Sequence, residues 1–183
     1  MTEKRLGVVV GSLRRDSMNR KLARALVKLA PDTFHFEYPD IAVLPHYNQD
    51  LEADVPEAVQ AFREQLHSLD GFMFVVPEYN RGMPGVVKNA LDWGSRPKGH
   101  SGWAGKPALL TGASAGAIST AAMQVHLRAI LSSMGMYPLG EPEAYIRYHD
   151  GLIGENHEVT VEGTRGFLQL VMDGFVELLH RFD

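Results

Sequence analysis

No cysteine occurs among the 183 residues. Disulfide staples, cysteine-held iron–sulfur clusters and thiolate nucleophiles are thereby excluded, and a cytoplasmic location is the expectation. No apolar run approaches the length of a membrane span, and the N-terminal MTEKRLGVVVG enters a structured pattern at once, without a cleavage-like segment. Eight histidines are present, yet no H-x-H or H-E-x-x-H pairs them, which argues against a metal site. Charge of one sign is also scarce. The 18 basic and 22 acidic residues leave a formal charge of -4, so no general attraction to nucleic acid or an anionic membrane follows. Two phosphate signatures are missing as well. Without G-x-x-x-x-G-K-[ST] no lysine and magnesium ligand are set up for a nucleoside triphosphate, and without G-x-G-x-x-G the backbone makes no close approach to a dinucleotide pyrophosphate. No repeat, low-complexity tract or linker divides the chain, whose length suits one domain over 1–183.

What is present is concentrated in LGVVVGSLRRDSMN, Leu6 to Asn19. Leu6 to Val10 is apolar without alternation, as a strand buried on both faces of a parallel sheet requires. The chain opens at Gly11 and re-forms as a helix near Ser17 or Met18, with Leu22, Leu26 and Leu29 at helical spacing and Asp16 or Ser17 as its cap. A strand, a polar loop and a helix N-terminus make an anion cradle, because free backbone N–H groups face the loop and the helix dipole contributes about 0.3–1 kcal/mol. Ser12, Arg14, Ser17 and Asn19 add hydroxyl, guanidinium and amide donors, a set suited to the several oxygens of a terminal phosphate. Read alone, the stretch is also compatible with a solvated surface loop.

Further along, Thr33 to Tyr38 alternates as TFHFEY and predicts a strand near a sheet edge. Asp40 to Asp54 is a long connection of the kind that lines sites. A helix from about Pro56 carries Val59, Phe62, Leu66 and Leu69 on one face, and GFMFVV at Gly71 to Val76 is a second buried strand, followed by Pro77-Glu78-Tyr79-Asn80. Pro84 to Trp93 predicts a short helix on which Lys88 and Asp92 can pair and Trp93 packs. Lys106 to Gly112 is a third buried strand leading into the loop Ala113-Ser114-Ala115-Gly116. A helix over about Ala117 to Met134 follows, with a short strand within Tyr137 to Ile146. A last helix from about Thr160 is expected to bury Phe167, Leu170, Val171, Phe175, Leu178 and Leu179. Gly151 to Gly163 is a polar connection with no further assignment.

Buried strands alternating with amphipathic helices specify a doubly wound α/β fold. The expectation is a flavodoxin-like three-layer sandwich, with a five-stranded parallel sheet in the order 2-1-3-4-5. In that order the first and third strands are neighbours whose connections diverge, opening a crevice at their carboxyl ends. Loops 11–19 and 77–82 would flank it.

GSLRRDSMN, PEYN, the following MPGVVKNALDW and the GASAG loop together resemble the NADPH-dependent FMN reductase family, over about Leu6 to Ile146. The resemblance implies a flavodoxin-like fold and an FMN-dependent NAD(P)H oxidoreductase related to quinone, azo-dye and chromate reductases. By resemblance, Ser12, Arg14, Ser17, Met18 and Asn19 hold the FMN phosphate. Pro77, Glu78, Tyr79 and Asn80 lie along the isoalloxazine ring, and Ser114 and Gly116 meet its pyrimidine end. Arg81 is a long cation at the site mouth, facing a nicotinamide dinucleotide, an anionic substrate or water. A helix starting near Ala117 would place its positive end behind Ser114, where it favours an anionic reduced flavin. No side chain is nominated as a general acid or base.

The resemblance further implies NADPH or NADH as donor, a small-molecule electron acceptor, and a homodimer. Relatives carry Gly-Gly-Ala-Arg where Ser119-Thr120-Ala121-Ala122 stands here, and their arginine joins an intersubunit network with a glutamate matching Glu143. With Ala122 in that place a tetramer is not expected. A flavodoxin-type electron carrier, a reductase that releases reduced FMN to a monooxygenase, and a cofactor-free interaction domain on the same scaffold remain the alternatives.

Overall fold

The computed structural model describes residues 3–182 and contains one parallel sheet flanked by helices. Strands β1 (Lys4–Val10), β2 (Phe34–Glu37), β3 (Gly71–Val75), β4 (Pro107–Ser114) and β5 (Tyr137–Pro138) lie in the order 2-1-3-4-5. A sixth, β6 (Ala144–Arg147), also pairs with β4. The expected flavodoxin-like order is therefore the observed one. Its register sets Val8 beside Met73, and Phe72 beside Ala108, so the carboxyl ends of β1, β3 and β4 finish at a common edge.

Because successive side chains of a strand point to opposite faces, each buried run feeds two cores. Leu6, Val8, Met73, Val75 and Leu109 pack under helices α1 (Met18–Val27) and α5 (Glu162–His180). Val9, Phe72, Phe74, Ala108 and Leu110 pack under α2 (Glu57–His67), α3 (Gly85–Gly94) and α4 (Ala121–Ser133). The parallel crossovers put helices on both faces, giving the three layers. Trp93 anchors α3 as expected, its indole N–H donating to the Pro45 carbonyl at 2.8 Å, and Lys88 pairs with Asp92 at 2.7 Å.

Four local expectations are corrected. The fifth strand position is filled by two pieces: β5 pairs with the start of β4, β6 with its end. Pro138 and Pro142 lack N–H groups to continue a ladder, and the chain loops out between the pieces. Strand β4 runs on to Ser114, and α4 begins only at Ala121, because Ser119 adopts a left-handed φ of 50° and its hydroxyl donates to the Ile146 carbonyl in β6. Leu170 is 62% exposed. The stripe α5 buries is Leu168, Val171, Met172, Phe175 and Leu179, and Leu170 lies roughly 200° around the helix from Leu168. Phe167 and Leu178 are half-buried at the margin of that stripe. Finally, the segment after β6 is not a featureless connection: Ile153 bridges Val159, and both are buried against the α1–α5 core.

Candidate functional site

The first wall of the site is the turn from β1 into α1. Ser17 is the helix cap, extended at φ -88°, its hydroxyl accepting the Arg20 N–H at 3.2 Å. Asp16 does not cap; it pairs with Lys21 at 2.6 Å, and that hydrogen-bonded ammonium holds the Asp16 carboxyl below its ordinary range. Asn19 is 2% exposed, and its amide brackets the backbone of one residue, Ala113. Nδ2 donates to the Ala113 carbonyl at 3.0 Å, while Oδ1 accepts the Ala113 N–H at 2.8 Å. The start of α1 is thereby fastened to the end of β4.

The second wall is the loop after β3. Tyr79 and Gly82 exchange backbone hydrogen bonds at 2.9 and 3.0 Å, closing a two-residue turn with Asn80 at φ 51° and Arg81 at φ 67°. Two left-handed central residues make it a type I′ hairpin turn. Pro77 is buried, and the Glu78 side chain is only 8% exposed. Glu78 Oε2 accepts the Met123 N–H of α4 at 3.0 Å, and Oε1 lies 3.5 Å from an Arg81 Nη. The N-terminus of α4, which begins at Ala121 and not near Ala117, thus serves Glu78. The Tyr79 ring stays 48% exposed at the rim.

The third wall is the end of β4. Gly112 is required there, because a Cβ would collide with the Val76 carbonyl oxygen and with Thr120. Ser114 Oγ accepts the Gly116 N–H at 3.1 Å, folding the loop back on itself.

These walls enclose a cavity of about 110 Å³ lined by Ser12, Arg14, Ser17, Met18, Asn19, Pro77, Glu78, Tyr79, Ala113 and Ser114. All the residues singled out from the sequence lie on that wall except Asn80, Arg81 and Gly116, which sit next to it in the chain. Ala113 was missed. Its contribution is a backbone peptide group, and an alanine in a buried run carries no signal for that. Among the described residues no carboxylate lies within ion-pair distance of Arg14, and the side chain of Ser12, a residue only 4% exposed, makes no hydrogen bond. The cavity therefore offers donors at the amino end of a helix, with Arg14 in no close ion pair and the one lining carboxylate, Glu78, engaged by the Met123 N–H, an arrangement that favours an anion. No group of metal-ligating side chains exists among the described residues, and no helix there is long and apolar enough to cross a membrane.

A 2-1-3-4-5 parallel sheet, with an anion cradle after its first strand and an aromatic-bearing turn after its third, defines a flavodoxin-like protein with its site at the topological switch point. Within that class the chain belongs to the NADPH-dependent FMN reductase family, which residues 4–150 match. It is 49% identical over 171 residues to a 2-hydroxy-1,4-benzoquinone reductase from a Burkholderia species, covering 93% of each chain. It is 44% identical over 139 residues to an NAD(P)H-dependent FMN reductase of Pseudomonas aeruginosa, covering 75% of each. Among solved structures it superposes with a TM-score of 0.94 on the flavoenzyme NAD(P)H:(acceptor) oxidoreductase FerB from Paracoccus denitrificans, at 43% identity, covering 97% of this chain and 98% of that one. The chain is accordingly an enzyme of this family, with FMN as cofactor and NAD(P)H as electron donor.

Proposed function

We propose that the enzyme passes electrons from NAD(P)H to a quinone, or to a similarly small acceptor such as an azo compound or chromate, in two half-reactions separated by departure of the oxidised nucleotide. The observation that carries this reading is the convergence of Ser12, Arg14, Ser17 and the α1 N-terminus on one small cavity, with Pro77 and Tyr79 beside it. The residues fit FMN. A cavity of about 110 Å³ lined by the Arg14, Ser12 and Ser17 side chains suits a phosphate, and the half-exposed Tyr79 leaves flat apolar surface where a ring would lie. When bound, FMN supplies the hydride-accepting and electron-donating chemistry.

The chain's own residues bind and orient. Arg14, Ser12 and Ser17 take the phosphate oxygens, with Met18 and Asn19 completing the cradle. Pro77, Glu78, Tyr79 and Asn80 line the ring, Ser114 and Gly116 its polar end, and Arg81 stands at the mouth. Asn19 acts through Ala113, holding the cradle at a fixed distance from the Ser114 loop. We assign no side chain to a proton transfer in the chemical step, and attribute the protein's share of the rate to positioning. We read the assembly as a homodimer. A tetramer built on Glu143 is disfavoured because Arg128 of the same chain lies 3.6 Å from it and the Tyr145 hydroxyl also donates to it.

The test is an anaerobic visible spectrum of the desalted protein with equimolar FMN. Addition of NADPH or NADH should bleach protein-bound flavin, and a quinone should restore it. Bound flavin that neither nucleotide bleaches would overturn the reading in favour of an electron carrier.

A further inference from the structure

A second and larger cleft, of about 380 Å³, opens beside the cradle on the α1 side of the sheet. It lies at the carboxyl ends of β1 and β2, with Val8, Val10 and Ile41 as an apolar floor. Leu13 and Tyr38, 57% and 45% exposed, stand at its rim, so two large apolar groups face water at one place. Arg20 and Arg24, one turn apart on α1, also line it. Among the described residues neither is ion-paired with a carboxylate; the side-chain hydrogen bond of Arg24 is to His157, Nη1 to Nε2 at 3.1 Å, and its charge also acts on Tyr38. Both arginines also wall an adjoining hollow of about 110 Å³ that holds Arg15 and the Asp16–Lys21 ion pair.

A flat heteroaromatic ring would cover the exposed apolar rim, and an anionic group would meet the two guanidinium forks. One carboxylate lines the cleft. Asp40, just past β2, accepts the Ala42 N–H at 2.9 Å through Oδ1 and has its second oxygen unpartnered. Standing just past β2 and on the wall of the cleft, that free oxygen can accept a hydroxyl of a ligand seated there, such as a ribose. Here β2 is the parallel neighbour of β1. Apolar floor, sugar acceptor and paired cations thus occur together in one cleft. Ser12 lines both this cleft and the cradle, so a ligand seated here extends toward the flavin site.

We infer that this cleft binds a purine nucleoside phosphate: the ring lies against Val8, Ile41 and Tyr38, the ribose against Asp40, and the phosphate on Arg20 and Arg24. Resting on the function proposed above, the natural occupant is the adenylate end of NAD(P)H, held apart from the reacting nicotinamide.

Calorimetric titration of the FMN-loaded enzyme with adenosine 5′-monophosphate and adenosine 2′,5′-bisphosphate should show saturable binding, and adenosine or inorganic phosphate alone should bind at least about tenfold more weakly. Arg20→Ala, which removes a side chain without a partner, should weaken nucleotide binding about tenfold and raise KM for NAD(P)H with kcat and FMN retention unchanged. Ala42→Trp, which fills the cleft from an exposed position, should do the same. Absence of saturation by either adenylate, or equal affinities in wild type and both variants, would overturn the inference even if NAD(P)H reduces the flavin. Adenylate binding lost in the variants, with no flavin reduction by NAD(P)H, would leave the cleft as a site for a free nucleotide and defeat only the proposed reductase function.

Discussion

Glu78 carries more than the solvated carboxylate that a surface loop would supply. Thr120, the residue ahead of α4, makes no side-chain cap, and the orphan Met123 N–H is satisfied by Glu78 from another loop. A negative charge at that point also meets the positive end of the helix dipole. Glu78→Gln keeps an oxygen for Met123 and loses the charge, so it should lower stability by about 0.5–1 kcal/mol. Glu78→Leu loses both and should cost about 1–2 kcal/mol. Urea unfolding midpoints measure these losses, and three coincident curves would mean that the contact contributes nothing. Asn19 belongs to the same scale: a residue that reads as a ligand donor is, in the fold, a brace between α1 and β4.

Among elements, the turn from Tyr79 to Gly82 is the most constrained at the site, since Asn80 and Arg81 both hold positive φ. Asn tolerates that conformation better than Arg does. Arg81→Gly should therefore stabilise the protein by roughly 0.5–1 kcal/mol, and the β-branched Arg81→Val should destabilise it by a similar amount. Thermal melts of the two variants should move in opposite directions; a shared direction would place the strain elsewhere.

Elements were legible in the sequence wherever one local pattern decided them. The unbroken apolar runs of β1, β3 and β4 and the stripe Leu22–Leu26 of α1 fall where periodicity puts them. What was not legible depends on contacts far apart in the chain. The delayed start of α4 follows from Ser119 bonding Ile146, 27 residues away. The division between β5 and β6 depends on which parts of β4 remain open to pairing. At the site, the donor-bearing loop residues announced themselves by type, whereas Ala113 and Met123 act through peptide groups that any residue possesses.

For the whole molecule, stability should carry a trace of Lys106. Its ammonium donates to the Leu66 carbonyl near the end of α2, and burial lowers its pKa to about 8 from an ordinary 10.5. The folded-state value is the lower one, so between these limits the unfolded chain binds more protons and stability rises with pH. Below pH 8 both states hold the proton and this contribution is flat. Wild type should therefore gain stability relative to Lys106→Met between pH 8 and pH 10. Parallel pH profiles for the two proteins would contradict the assignment.

In the proposed function, the turn between β1 and α1 is the phosphate cradle and Arg14 its charged donor. The direct measurement is equilibrium titration of apoprotein, wild type and Arg14→Ala, with FMN and with riboflavin, which has the same ring and no phosphate. Charge-assisted hydrogen bonds of roughly 1.5–3 kcal/mol each predict that wild type prefers FMN by about a hundredfold or more, and that Arg14→Ala narrows the preference about tenfold without weakening riboflavin binding. Equal affinity for the two flavins, or a preference untouched by loss of Arg14, would contradict it.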